Sequence, residues 1–239
     1  MVPAPAVTLV TGSARGLGLA VARALAQRGD LVHVVWRTAG PNTAALEREF
    51  AGRAHRADLL RTDDARALVR AVLARDARLD HVVHAVGEYA TGPLDEAQAA
   101  ELERMFASNV LTAFHVFDAA RSALRTARGT ATFFGTAGLA GARARRETAL
   151  YAAAKSALLV LVRSWAREEA AHGLRVNQIS PGIVPHADAA ADTHAYAERV
   201  PLGRAGSPAD IAAAVEFLTS GAASHVTGQD LEVAGGWML

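Results

Sequence analysis

The stretch Val7-Thr8-Leu9-Val10-Thr11-Gly12-Ser13-Ala14-Arg15-Gly16-Leu17-Gly18 decides how this chain folds. Val7–Thr11 is an apolar, β-branched run that reads as a buried strand, and Gly12 opens it into a turn. From Gly16 to Arg28 the apolar positions Leu17, Ala20, Val21, Ala24 and Leu25 recur at helical spacing, with Gly29 placed as the C-terminal cap. Glycines between a strand and a helix allow positive φ and close backbone approach. The helix N-terminus beyond them offers free N–H groups to an anion. A plain Gly-rich turn is the bland alternative. As the first strand-to-helix turn of an α/β chain, the segment points instead to a dinucleotide pyrophosphate.

The alternation continues outward from this unit. Strands are expected at Leu31–Trp36, Ala54–Arg56, Asp80–Val86, Thr130–Phe134, Leu174–Ile179 and Asp230–Val233. Helices are expected over Thr43–Phe50, Thr62–Ala74, about Asp95–Val110, Ala113–Arg125 and Tyr151–His172. A last helix starts at Ser207-Pro208-Ala209-Asp210, with Ser as cap and Pro at the first position, and runs to Ser220. Strands alternating with helices imply parallel βαβ units, covered on both faces. The fold class is therefore α/β, a doubly wound parallel sheet of about seven strands in one domain spanning 1–239. Ligands bind such sheets beyond the carboxyl ends of the strands.

Composition narrows the function. The 239 residues are 51% hydrophobic and 21% charged, with a formal net charge of +1 and no cysteine. The charge balance gives no footprint for nucleic acid or an anionic membrane. The absent cysteines exclude disulfides, thiol nucleophiles and Cys-based zinc sites. No apolar run reads as approaching the ~20 residues of a membrane helix, and the N-terminus lacks a signal-peptide pattern, so a cytoplasmic protein is expected. The nine histidines show no metal-ligand spacing, so no metal is expected, and His81 and His84 read as structural. The basic set is 24 arginines and one lysine, Lys155.

That lysine belongs to Tyr151-Ala152-Ala153-Ala154-Lys155, where residues four apart share a helix face. A free phenol with a pKa of about 10 is a poor acid or base at neutral pH, and a nearby ammonium favours phenolate. Arginine lacks the compact ammonium that fits under a tyrosine. By itself a Tyr/Lys pair at this spacing is weak evidence; beside the glycine turn it is strong.

The turn Thr11-Gly12…Gly16-Leu17-Gly18 and the Tyr151/Lys155 pair resemble the short-chain dehydrogenase/reductase family, and the resemblance runs through the chain. Asp58-Leu59 resembles the family's adenine-contacting acid segment, and Ser108-Asn109-Val110 its helix asparagine. Arg175–Gly182 matches R-V-N-x-I-x-P-G beside the nicotinamide, and Val226–Gly236 the C-terminal T-G-Q…G-G pattern. The resemblance implies an NAD(P)-dependent oxidoreductase acting on a small-molecule carbonyl. Tyr151 would be proton donor, Lys155 its partner and Asn109 part of the relay. It also implies cofactor contacts from Gly12, Ser13, Arg15, Gly16, Leu17 and Gly18. Further contacts fall to Arg37, Asp58 and Leu59, to Ala85 and Gly87, and to Pro181, Gly182 and Val184, besides Tyr151 and Lys155. The 3-oxoacyl-[acyl-carrier-protein] reductase-like branch, with its place in fatty acid biosynthesis, is similar in loop lengths. Its homotetrameric packing would use the helices of Asp95–Arg125 and Tyr151–His172, where Ala152, Leu158, Leu159, Leu161, Val162 and Trp165 exceed one core face.

Departures accompany the matches. His84-Ala85-Val86-Gly87 stands where the family has N-N-A-G, so support for the sheet must come from elsewhere. Thr136 stands where the catalytic serine is expected and keeps a hydroxyl. It lies two residues farther ahead of Tyr151 than the usual spacing, and a strict count lands on Gly138, which has no donor. His186 replaces a threonine that contacts the carboxamide, and Pro185–Pro201 is expected to be a lid. The second strand, Val32-His33-Val34-Val35-Trp36-Arg37-Thr38, ends without the carboxylate of an NAD site. Arg37 and Arg15 would meet a 2′-phosphate, so NADPH is the expected cofactor. A pteridine or quinone reductase on the same fold remains an alternative. So does a non-catalytic nucleotide-binding scaffold, favoured by the altered His84–Gly87 and opposed by intact Tyr151, Lys155 and Asn109.

Overall fold

The computed structural model describes residues 4–141, 143–185 and 198–238. Its seven parallel strands are β1 (Val7–Thr11), β2 (Leu31–Trp36), β3 (Ala54–Arg56), β4 (His81–His84), β5 (Thr130–Phe134), β6 (Arg175–Pro181) and β7 (Asp230–Val233). They form one sheet in the order β3-β2-β1-β4-β5-β6-β7. The chain winds outward from β1 in one direction to β3, then returns and winds the other way from β4. The crevice between the carboxyl ends of β1 and β4 is thus the switch point where such sheets bind ligands.

The inner strands β1, β2, β4, β5 and β6 are buried on both faces, which is why near-continuous apolar runs mark most of them, while the edge strands β3 and β7 are half-buried. On one face Leu9, Val82, Phe133 and Val176 pack under α3 (Thr62–Asp76), α5 (Thr112–Ala127) and α6 (Ala149–Glu169). Phe117 and Trp165 stack there with ring centroids 4.5 Å apart, and Phe133 lies 5.3 Å from Trp165. On the other face Val10, Val34, Val83 and Ile179 pack under α1 (Gly16–Arg28) and α7 (Pro208–Thr219). Fully burying side chains of this size contributes roughly 1.5–3 kcal/mol each. α2 (Thr43–Glu49) covers the edge near β2 through the buried Leu46.

Local signals set the helix ends. Ser207 Oγ accepts from Asp210 N at 3.2 Å, and Asp210 Oδ2 accepts from Ser207 N at 2.7 Å, so α7 begins with a complete capping box. Gly29 closes α1 in the left-handed region at φ 107.

Three expectations are corrected. β4 spans His81–His84 rather than Asp80–Val86, with Ala85 N still donating to Thr11 O at 3.2 Å beyond its end. The two helices expected over Asp95–Val110 and Ala113–Arg125 are one run. α4 (Ala99–Phe106) passes through a π-helical turn, Ala107–Leu111, directly into α5. The segment Ala149–His172 is long and apolar enough to cross a membrane by length and composition. Yet Lys155, Leu158, Val162 and Trp165 on it are buried against the sheet, the position of a core helix.

Candidate active site

The loop after β1 is shaped by what its glycines exclude. Gly12 has φ +69, and a Cβ there would stand 2.6 Å from the Ala85 carbonyl oxygen. Gly16, at φ +59, faces open space, with nothing within 4 Å of an added Cβ. Gly18 packs on the backbone of Gly12, so α1 starts hard against the loop. The cap residue Arg15 makes no side-chain hydrogen bond to the helix, and the first turn carries no acid. Its N–H groups therefore keep their donors for an anion lying over Gly16, and this cradle fits a pyrophosphate. Leu17 is half-buried against the core. Ser13 follows Gly12 and is buried. Its Oγ donates to Val10 O at 2.8 Å and accepts from Val35 N at 2.9 Å, so its side chain ties β1 to β2 inside the sheet.

At the end of β2, Arg37 is exposed, as is Arg15, and neither guanidinium has a hydrogen-bond or ion-pair partner among the described residues. The parallel register places Arg56 opposite Trp36, and Arg56 Nε donates to Arg37 O at 3.2 Å. Sequence reading missed this third guanidinium, because only the β2–β3 pairing brings it to the corner. Asp58 Oδ1 caps Leu60 N at 3.1 Å. The Leu59 side chain belongs to the core, and its carbonyl accepts from His115 Nδ1 at 3.0 Å.

The remaining candidates converge beyond β4 and β5. Lys155 is buried, and its Nζ donates to Phe134 O at 2.7 Å, at the end of β5. The same Nζ lies 5.6 Å from the centre of the Tyr151 ring. Gly87 fits between two side chains: an added Cβ would strike Asn109 Oδ1 and come within 3.1 Å of Lys155 Nζ. Asn109 sits in the π-turn, where its Nδ2 donates to Met105 O and Glu88 O, both at 3.0 Å. Its Oδ1 is buried without a protein partner. One buried acceptor and one buried ammonium thus flank Gly87. π-Turns inside helices concentrate at such positions.

Electrostatics here reverses one expectation. Tyr151 was expected to be acidified by Lys155. Instead burial, and then Tyr89, push its phenol well above the ordinary tyrosine range. Burial lowers Lys155 to about 7. Without an anion nearby, each group resists its charged form. Tyr89, 66% exposed, meets the Tyr151 ring edge-on with centroids 5.0 Å apart. No sequence pattern announced that contact.

Thr136 is half-buried just past β5, and backbone bonds on either side hold it: Gly135 N to Ile179 O at 2.8 Å and Ala137 N to Pro181 O at 3.0 Å. Gly138 lies in the following turn at φ +74, with Arg145 and Met238 occupying the space of its missing side chain. Arg145 Nη2 donates to the carbonyls of Ala137 and Gly138 at 2.8 and 2.6 Å, and Gly138 N donates to Glu232 Oε1 at 2.8 Å. The lengthened loop is closed by these bonds. On β6's end, Gly182 packs on Ala234, and Pro181 and Val184 stay half-buried. His186 and most of the expected lid Pro185–Pro201 fall outside the described residues. Among the described residues no group of three or more His, Asp or Glu is placed to hold a metal.

Comparison with known proteins agrees with this geometry. A family model described as enoyl-(acyl carrier protein) reductase matches residues 12–238. L-fucose dehydrogenase of Oryctolagus cuniculus is 36% identical over 96% of this chain and 84% of its own length. A 3-oxoacyl-[acyl-carrier-protein] reductase of Staphylococcus aureus is 29% identical over 97% of each chain. The crystal structure of a blue fluorescent protein from a metagenomic library, in complex with NADPH, superposes with a TM-score of 0.88. It is 31% identical, with 98% of each chain covered. A glycine cradle at the β1–β4 switch point, a buried lysine under a tyrosine, and full-length similarity to such enzymes have one explanation: the chain belongs to the short-chain dehydrogenase/reductase family of NAD(P)-dependent oxidoreductases.

Proposed function

We propose that this enzyme is an NADPH-dependent reductase of a small-molecule ketone or aldehyde, with Tyr151, Lys155, Asn109 and Thr136 as its working groups. The observation that carries the reading is that Lys155 Nζ, 5.6 Å from the Tyr151 ring centre, shares the space beside Gly87 with Asn109 Oδ1. Bound nicotinamide would supply the hydride to the carbonyl carbon. The Tyr151 phenol then gives its proton to the developing alkoxide, and its raised pKa keeps that proton in place until charge appears on the substrate. Thr136 Oγ donates to the same oxygen. Lys155, held at about 7, can carry either proton state at neutral pH and returns a proton to the phenolate, with Asn109 Oδ1 beside it as acceptor.

Cofactor choice rests on Arg15 and Arg37. Charge-assisted bonds from guanidinium to phosphate contribute roughly 1.5–3 kcal/mol each, so even one implies about tenfold preference. Titration of both cofactors by thermal shift is expected to show NADPH binding at least about tenfold tighter than NADH. Arg37→Asp should erase most of that gap, Arg15→Ala less. Equal affinities in the unaltered protein refute the assignment.

The substrate reading keeps two arms. Loop lengths favour a 3-oxoacyl thioester, as in fatty acid biosynthesis, while the higher identity to L-fucose dehydrogenase favours a sugar alcohol–carbonyl pair. A panel of acetoacetyl thioester, diketones, quinones, pterins and L-fucose, followed by nicotinamide absorbance, separates them.

The reading extends to a cytoplasmic homotetramer, with a revised surface. Ala152, Leu158, Leu159, Val162 and Trp165 are buried within the protomer itself. The exposed apolar row is instead Leu102, Phe106, Leu111 and Phe114, with Val160 64% exposed on α6. Such a row favours burial against a symmetry mate. Light scattering at micromolar concentration is expected to give a dimer or tetramer; a mass of 24.9 kDa refutes it.

A further inference from the structure

His84 replaces an asparagine of the family pattern, and its bonds run toward the proposed catalytic groups. Its Nδ1 lies 2.9 Å from Thr11 Oγ1, at the end of β1, and its Nε2 lies 3.2 Å from Thr112 Oγ1, at the start of α5. The Thr112 hydroxyl donates to Ser108 O at 2.6 Å. That spends its only hydrogen, so Thr112 Oγ1 accepts from His84 and Nε2 carries the imidazole hydrogen. Nδ1 then accepts from the Thr11 hydroxyl. The chain has one direction: Thr11 to His84 to Thr112 to the carbonyl of Ser108.

Ser108 belongs to the π-turn that carries Asn109, and Thr112 follows that turn as the first residue of α5. There the Thr112 amide donates five residues back, to Ala107 O. In an α-helix it would donate to Ser108 O; here the Thr112 hydroxyl satisfies that carbonyl instead. The hydroxyl thus fills the acceptor that the wide turn leaves without its α-helical amide. The turn in turn aims Asn109 Oδ1, buried and without a protein partner, at the space beside Lys155 Nζ. His84 itself is completely enclosed, against Phe133 on one side, and burial together with Lys155 holds its imidazole at about 3, so it stays neutral.

We infer that His84 is a positioning residue: through Thr112 it locks the π-turn to the strand that begins the phosphate loop, and so sets Asn109 for proton return to Lys155 and Tyr151. This rests on the roles proposed above for Tyr151, Lys155 and Asn109. The chain makes a connection between cofactor loop and proton relay that does not pass through either ligand.

The test uses the full-length enzyme, NADPH and the best carbonyl from the substrate panel. Thr112→Val keeps the shape and removes the hydroxyl; His84→Leu removes both ring donors and acceptors. Each is expected to lower kcat by about tenfold to a hundredfold, the scale of a misplaced catalytic group, with the KM for NADPH changed less than about twofold. Thr112→Ser and His84→Asn, which keep a donor and an acceptor, should recover most of the rate. The double variant should be no slower than its slower parent, since both break one chain. In the protein without cofactor, Thr112→Val should also speed hydrogen exchange at the amides of 108–112 by about tenfold or more. Unchanged kcat or unchanged exchange in Thr112→Val overturns the inference, as does a loss that Thr112→Ser fails to recover. Tyr151→Phe is run beside them. Its inactivity with a fully active Thr112→Val overturns the His84 inference alone, whereas an active Tyr151→Phe overturns the proposed function and this inference with it.

Discussion

Tyr151→Phe is expected to lower turnover by about 10²–10⁴-fold, the range of a lost general acid, while NADPH affinity stays nearly unchanged. The ring remains, so its edge contact with Tyr89 and its place over Lys155 persist. Only the proton is gone. Lys155→Arg should behave differently and damage both rate and cofactor affinity. The Lys155 pocket is sized for one ammonium bonded to Phe134 O, and the planar guanidinium can neither fit beside Gly87 nor lose its proton at neutral pH. Stopped-flow turnover and cofactor titration on both variants check this pair of outcomes. Near wild-type turnover by Tyr151→Phe removes Tyr151 from the mechanism. Near wild-type behaviour of Lys155→Arg contradicts the reading of the solitary lysine.

The sheet was legible because parallel strands buried on both faces leave a plain trace. β1, β2 and β5 begin and end where their apolar runs do, and the half-buried edge strands β3 and β7 keep the bounds that the alternation gives them. Gly29 and the Ser207 capping box fixed helix ends for equally local reasons. The junction between α4 and α5 was not legible. A π-turn adds a residue to the helical repeat, so the apolar stripe of Leu102 and Phe106 resumes out of phase at Leu111 and Phe114, and the shift imitates a break. At the site, the motif spacing found Gly12, Gly16, Gly18, Asn109, Tyr151 and Lys155, whose placement depends on one turn or one helix face. What it could not find depends on pairings distant in sequence. Arg56 reaches the β2 corner only through the β2–β3 register, and the loop after Thr136 is closed by Arg145 and Glu232. Ser13 and Leu59 matched their motif positions, yet their side chains serve the fold.

Mild acid is expected to destabilise this protein well before its carboxylates titrate. Burial holds His55 and His81 at about 4 and His84 at about 3, and it lowers His33 too, against the opposing hydrogen bond that His33 donates to Asp76. In the unfolded chain a histidine titrates near 6.5. Below that pH the unfolded state takes up protons that the folded state refuses, so stability drops as pH falls from about 6.5 toward the folded values. At pH 5 the loss is about 2 kcal/mol for each of His81 and His84, from ~1.5 pH units at 1.36 kcal/mol per unit. Together they remove about 4 kcal/mol from a total that is typically 5–15 kcal/mol. Asp76, held at about 2 by Arg53 and His33, adds its loss only below about pH 4. On the alkaline side the signs oppose one another. Lys155, lowered to about 7, makes stability rise with pH between 7 and the ordinary lysine range. Tyr151, with its raised pKa, makes stability fall above about pH 10. The maximum should therefore lie at about pH 10, rather than in the neutral to weakly acidic range. Urea unfolding at pH 5, 6, 7 and 8.5 reads this directly, as a midpoint lower by about 1 M or more at pH 5 than at pH 8.5. His84→Asn should flatten part of that slope, because it removes one large contributor while keeping a donor and an acceptor. A midpoint constant from pH 8.5 to 5 contradicts the buried-histidine account, whatever the enzyme's substrate proves to be.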